Sequence, residues 1–83
     1  MSKRKTYKYE LKDRHTVLYV GITDDPDRRV QQHRQSKDFG HMRIIGNRTT
    51  RTAAEKWEEN RIRTYMENHG GRTPPLNKND SGK

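Results

Sequence analysis

Apolar and polar residues alternate with a period of two near the start of the chain, over residues 7–12. Because successive side chains of a strand point to opposite faces, this pattern predicts a strand with one buried face. A polar connection of hairpin length follows at residues 12–15. The next segment, Thr16–Thr23, is β-branched and apolar on both faces, which predicts the central strand of a sheet.

The first helix is predicted by its N-terminal capping residues. Asp25 has a side chain that can accept hydrogen bonds from the first turn, and Pro26 has the backbone angle that suits the first helical position. The helix should run to about Ser36, with Val30 as its only apolar anchor. A short apolar segment at residues 42–45 then predicts a third strand.

A second helix is predicted to begin at residues 52–55, where Thr-Ala-Ala-Glu forms a capping box. It should continue to about Asn68, because Gly70 and Gly71 follow and glycines commonly end helices. Residues 73–77 contain two prolines and predict an extended return segment. This order of elements predicts an α+β fold, in which a small three-stranded, mainly antiparallel sheet is flanked by helices (β-β-α-β-α).

Composition indicates one small domain with a basic surface. The 83 residues leave room for a single domain over residues 6–78, with a flexible basic tail at residues 1–5 and a disordered tail at residues 79–83. Only 25% of the residues are apolar and 36% are charged, so the core should be thin. The formal charge of +8 attracts polyanions, above all nucleic acid, through counterion release.

Several kinds of site are excluded by residues that the chain lacks. It has no cysteine, so it cannot form disulfides or thiolate zinc sites. The longest apolar run, residues 17–20, is far shorter than a membrane span, so we expect a soluble, cytoplasmic protein that does not bind membranes. The histidines lack zinc-site spacings, and there is no glycine-rich phosphate loop or serine or cysteine nucleophile motif.

The second predicted helix carries an acidic residue where an apolar one is expected. At 100° per residue, its apolar stripe passes through Ala54, Trp57, Ile62, Tyr65 and Met66. Glu58 falls inside this stripe. A carboxylate that points toward a core is costly unless it is paired or binds a metal, and such conflicts tend to mark functional sites. From helix geometry alone, an ion pair with Arg61 explains Glu58 equally well.

Aromatic and basic residues could meet near the predicted strand-turn-helix unit. Tyr9 and Tyr19 lie on adjacent strands of the hairpin, and Tyr19 shares its face with Gly21. Arg29 and His33 are four residues apart and so are neighbours on one helix face. Phenol, guanidinium and imidazole groups are suited to surround a phosphodiester. Taken singly, however, the tyrosines are explained better as core residues and the basic pair as a solvated face.

The strand motifs resemble those of the GIY-YIG nuclease domain, of which this chain would be a small stand-alone member. Residues 19–21, Tyr-Val-Gly, match the second triplet of the family closely. Residues 7–9 stand where the first triplet belongs. Tyr9 keeps the tyrosine of that triplet, whereas Tyr7 and Lys8 replace its glycine and isoleucine.

The helices and the closing segment extend the resemblance over residues 6–78. Arg29 follows the glycine of the second triplet by eight residues, where the family has its arginine, and His33 stands at the expected four-residue step. Glu58 is similar to the metal-binding glutamate of the family. Asn77 is similar to the asparagine of its closing segment.

The resemblance implies a divalent-metal-dependent endonuclease that hydrolyses phosphodiester bonds, in DNA more than in RNA. Glu58 would hold Mg²⁺ or Mn²⁺, and Arg29 would bind the phosphate oxygens. Tyr19 would be the general base, and since a free phenol titrates near pH 10, nearby positive charge such as Arg29 would have to help it ionise. Tyr9 and His33 would orient groups or relay the proton, and Asn77 would fix a partner by hydrogen bonding.

Two other functions fit the same basic composition. One is a non-catalytic nucleic-acid-binding module on the same fold, whose binding would depend steeply on salt but not on metal. The other is a structural basic protein of a ribonucleoprotein or virion. In either case, or in a nuclease, a protein partner could supply sequence specificity, and the sequence leaves the oligomeric state open.

Overall fold

The computed structural model describes residues 4–77, which form three strands and two helices. In chain order these are β1 (Thr6–Asp13), β2 (Thr16–Thr23), α1 (Pro26–Ser36), β3 (His41–Thr49) and α2 (Arg51–Asn68). Both β2 and β3 pair antiparallel with β1. The predicted α+β class, with a three-stranded antiparallel sheet and two helices, is confirmed.

The strand order is β2-β1-β3, so the prediction that Thr16–Thr23 is the central strand was wrong. The central strand is β1, and the outer edge of β2 is covered by the return segment. The backbone N–H of Leu76 donates to the carbonyl of Leu18 at 2.7 Å, and the Asn77 side chain bonds the backbone of Val20. Residues 19–23 of β2 are buried, and helix α2 packs against this strand.

The first helix and the end of the second agree with their predictions. Helix α1 begins at Pro26 and ends at Ser36, and the Asp25 carboxylate accepts a hydrogen bond from the N–H of Arg28 at 3.1 Å. Helix α2 ends at Asn68, and both glycines that follow have positive φ angles.

The start of α2 and the length of β3 differ from their predictions. The N-cap of α2 is Thr50 rather than Thr52, and its hydroxyl accepts from the N–H of Ala53 at 3.2 Å. Thr50 has the extended backbone that a cap requires, whereas Thr52 already lies within the helix. Strand β3 is longer than the predicted residues 42–45. The prediction missed its remaining residues because their side chains are mostly exposed, so no alternation of apolar and polar residues marks them.

The main apolar cluster lies on one face of the sheet. It consists of Tyr9, Leu11, Tyr19 and Phe39, with partly buried residues around it. Alternation along β1 places Glu10 on the other face, where its carboxylate forms an ion pair with Arg61 of α2 at 2.6 Å. Helix α2 packs against β1 and β2 and buries Ala54 and Ile62.

Two predictions concern the ends of the chain and the membrane. Of the predicted tails, residues 1–3 and 79–83 lie outside the described residues. Within residues 4–77, neither helix combines the length and the apolar character needed to cross a membrane.

Candidate active site

Two tyrosines and a histidine contact one another on the apolar face of the sheet. Tyr9 is fully buried on β1, and the centroid of its ring lies 6.1 Å from that of Tyr19 on β2. His33 of α1 is buried against both, with its ring centroid 4.8 Å from that of Tyr19. The hydroxyl oxygen of Tyr9 lies 2.7 Å from Nε2 of His33. The hairpin and α1 therefore bring these three predicted residues together.

A glycine makes room for this cluster. Gly21 stands opposite Tyr9 in the β1–β2 pairing. A Cβ atom on Gly21 would lie 2.6 Å from the hydroxyl oxygen of Tyr9 and 2.9 Å from Cε1 of Tyr19. These distances are far below van der Waals contact, so only glycine lets the two phenols occupy their positions.

Both phenols are held in their protonated forms. Burial is the main cause that raises the pKa of Tyr9 and of Tyr19, although the positive charge of Arg29 lowers both. The phenols also form a hydrogen bond to each other, which raises the pKa of Tyr9 and lowers that of Tyr19. Arg29 therefore acts in the predicted direction, but burial has the larger effect on both pKa values. Of the two phenols, Tyr19 is the easier to ionise.

The imidazole of His33 is neutral at physiological pH. Burial, followed by the positive charges of Lys37 and Arg29, lowers its pKa to about 4. The sequence reasoning did not identify Lys37, whose ammonium lies 5.3 Å from the centroid of the Tyr19 ring. The available signal was its position, four residues after His33 and directly after the end of the helix.

Arg29 lies between this cluster and an open polar pocket. Its half-buried side chain is close enough to lower the pKa values of Tyr9, Tyr19 and His33. It also lines a pocket of about 250 Å³. The other residues that line this pocket are Thr23, Asp24, Asp25, Arg28, Gln32 and Arg51. Arg29 is therefore placed to contact an anion that enters from solvent.

Glu58 is buried, as its position in the apolar stripe predicts. Only 2% of its surface is exposed, and its negative charge raises the pKa values of Tyr9 and Tyr19. The carboxylate is therefore close enough to influence the ionisation of both phenols. The predicted alternative partner, Arg61, forms its ion pair with Glu10 of the central strand.

A metal at this position would receive few ligands from the protein. Among residues 4–77, no group of three or more His, Cys, Asp or Glu side chains could surround an ion. A single carboxylate nevertheless fits Mg²⁺, which keeps several waters and commonly binds through one or two carboxylates and a substrate phosphate. Glu58 provides a single carboxylate of this type.

Asn77 lies beside the cluster rather than within it. Its side-chain oxygen accepts from the N–H of Val20 at 2.8 Å, and its side-chain nitrogen donates to the carbonyl of Val20 at 3.1 Å. Val20 follows Tyr19 directly, so Asn77 fixes the backbone that carries this phenol. The sequence suggested a hydrogen-bonding role, but not this partner.

Comparisons with known proteins identify the family. The profile of the GIY-YIG catalytic domain matches residues 5–69 of the 83-residue chain. The match contains both strand motifs and both helices, and it ends before Asn77. No curated protein and no solved structure matches the chain. The three-stranded sheet, the helix order and the matched profile together show that this chain belongs to the GIY-YIG family.

Proposed function

We propose that this protein is a divalent-metal-dependent endonuclease that hydrolyses phosphodiester bonds in DNA. The GIY-YIG family supports endonuclease activity and a nucleic-acid substrate in general, and its nucleases generally use divalent metals. The observation that carries the proposal is the convergence of Tyr9, Tyr19 and His33 within the field of Arg29 and Glu58. Buried titratable groups with shifted pKa values are typical of catalytic sites.

Arg29 would bind the scissile phosphate. Its guanidinium stays charged at any physiological pH and can bind two phosphate oxygens at once. The pocket that it lines gives a substrate access from solvent. As negative charge develops on the phosphate during hydrolysis, a fixed positive charge stabilises the transition state.

Tyr19 would be the general base that activates the attacking water. Arg29 and the hydrogen bond from Tyr9 both favour its ionised form. Tyr9, whose pKa is raised further by burial, would remain protonated and donate to Tyr19. Neutral His33, in contact with the Tyr9 hydroxyl, would then keep that proton correctly directed. His33 and Tyr9 are thus positioning residues for Tyr19.

Glu58 would hold the metal, Mg²⁺ or Mn²⁺. A bound divalent cation supplies positive charge to the phosphate oxygens and to the leaving group. The negative charge of Glu58 raises the pKa of Tyr19, so a cation that neutralises this carboxylate would favour the ionised phenol. This electrostatic link gives the buried acid two functions, in binding the metal and in controlling when Tyr19 ionises.

The proposal is tested by DNA cleavage with Mg²⁺ or Mn²⁺. Glu58→Gln and Arg29→Ala should each lower the cleavage rate by about 10²–10³-fold while the protein remains folded. Two matched controls remove similar charges at exposed positions of α2, namely Glu59→Gln and Arg63→Ala, and should cleave like the wild type. Absence of metal-dependent cleavage by the wild type on duplex, single-stranded and branched DNA would overturn the proposal.

A further inference from the structure

Strand β3 bulges outward opposite Tyr7. Thr6 pairs with Thr49 and Lys8 pairs with Ile45, so a single residue of β1 is opposed by three residues of β3, at positions 46–48. Gly46 lies in this bulge with a φ angle of +65°, which residues other than glycine rarely adopt. Bulges of this kind commonly reshape a sheet next to a functional site.

The bulge creates an open pocket whose walls are basic and aromatic. The pocket has a volume of about 500 Å³ and is lined by Arg4, Tyr7, Gly46, Asn47 and Arg48. The Lys8 ammonium lies nearby, 3.4 Å from where a Cβ of Gly46 would be. None of these residues is acidic. The Tyr7 ring is only partly buried and lies outside the main apolar cluster, so it can receive a ligand.

This pocket is close to the candidate active site. Tyr7 precedes Tyr9 by two residues on β1, which corresponds to about 6.6 Å along a strand and places both side chains on the same face. On the other side, Tyr7 pairs with Thr23, which lines the Arg29 pocket. The Tyr7 pocket is therefore within reach of a nucleic-acid strand whose phosphate contacts Arg29.

We propose that Tyr7, Arg48 and Arg4 form a binding site for an unpaired nucleotide next to the scissile phosphate. The base would stack on the phenol ring of Tyr7, since every base offers a face that aromatic side chains can contact. The arginines and Lys8 would contact the backbone phosphates. This site deepens the proposed nuclease function, because it makes single-stranded or frayed DNA the preferred substrate. It also gives a role to Tyr7 and Lys8, the two residues that depart from the first family triplet.

The site is tested by binding of a labelled single-stranded DNA oligonucleotide in EDTA. Tyr7→Ala should raise Kd by about 5–100-fold through loss of stacking, whereas Tyr7→Phe keeps the ring and should stay within about twofold of the wild type. Tyr65→Ala removes another half-buried tyrosine, on α2, and should leave Kd unchanged. Arg48→Ala should reduce the dependence of log K on log salt by about one unit.

A crosslinking experiment on the unaltered protein avoids any effect of substitution on folding. Single-stranded DNA that carries 5-iodouracil should crosslink to the peptide that contains Tyr7. Crosslinks found only elsewhere, or a folded Tyr7→Ala variant that binds as tightly as the wild type, would overturn the site. Because these measurements need no metal and no cleavage, their outcome is independent of whether the protein proves to be a nuclease.

Discussion

The hydroxyl oxygen of Tyr9 lies 2.7 Å from Nε2 of His33, and this contact joins the central strand to helix α1. Both residues are buried, and they are 24 positions apart in the chain. The contact fixes the rotation of α1, and Arg29 lies one helical turn before His33. The position of the proposed phosphate-binding arginine therefore depends on a buried hydrogen bond behind it.

Protonation of His33 should destabilise the protein. Its pKa is about 4 in the folded state and near 6.5 when exposed, so between these values the unfolded chain binds a proton that the folded chain excludes. The contribution of neutral His33 to stability is fully present above about pH 6.5. The free energy of unfolding should fall by about 2–3 kcal/mol as the pH is lowered to 4. Urea unfolding of the wild type and of His33→Gln at several pH values measures this. Equal pH dependence in the two proteins would contradict the assignment.

Gly21→Ala should disrupt the phenol pair. The added methyl group would overlap the Tyr9 hydroxyl and the Tyr19 ring, and such overpacking costs about 1–3 kcal/mol. We expect lower stability in urea unfolding, and a loss of DNA cleavage even in the fraction that remains folded. An alanine variant with unchanged near-ultraviolet circular dichroism and wild-type cleavage would show that the two phenols tolerate separation.

Asn77→Ala should destabilise the edge of β2. It leaves the buried N–H and carbonyl of Val20 without their side-chain partners, a loss of about 1–3 kcal/mol. Asn60→Ala, at an exposed position of α2, is the matched control and should change stability by less than about 0.5 kcal/mol. Hydrogen exchange of the Val20 amide provides a local readout, which should accelerate only in the Asn77 variant.

The ion pair between Glu10 and Arg61 should contribute to stability but not to chemistry. Glu10 is only 5% exposed, so Arg61→Ala leaves a buried carboxylate without this partner and should cost about 2–4 kcal/mol. Cleavage per folded molecule should remain near the wild-type rate. A specific loss of cleavage in a stable Arg61→Ala protein would instead place Arg61 in the active site.

Local patterns predicted the elements that contain strong local signals. Alternation over residues 7–12 located β1, and the pair Asp25 and Pro26 located the start of α1. The helical stripe also predicted that Glu58 would be buried. In each case the pattern that predicts the feature lies within a short segment of the chain, so it can be recognised without knowledge of the fold.

Long-range pairing explains the features that local patterns missed. The strand order was wrong because the edge of β2 is covered by residues almost 60 positions away, and hydrophobicity alone does not distinguish such an edge from an interior strand. Glu10 becomes the partner of Arg61 only when the sheet and α2 pack together. The raised pKa of Tyr19 has the same origin, because its burial depends on the complete fold.

The central claim, that Glu58 holds a divalent cation beside Tyr19, is tested most directly by Mn²⁺ titration of the protein with isotope-labelled glutamate and tyrosine side chains. Paramagnetic broadening observed by NMR should appear first at Glu58 and Tyr19, should be reversed by excess Mg²⁺, and should be absent from this site in Glu58→Gln. Broadening that spreads evenly over exposed acids such as Glu59 and Glu67, and spares Glu58, would contradict the claim.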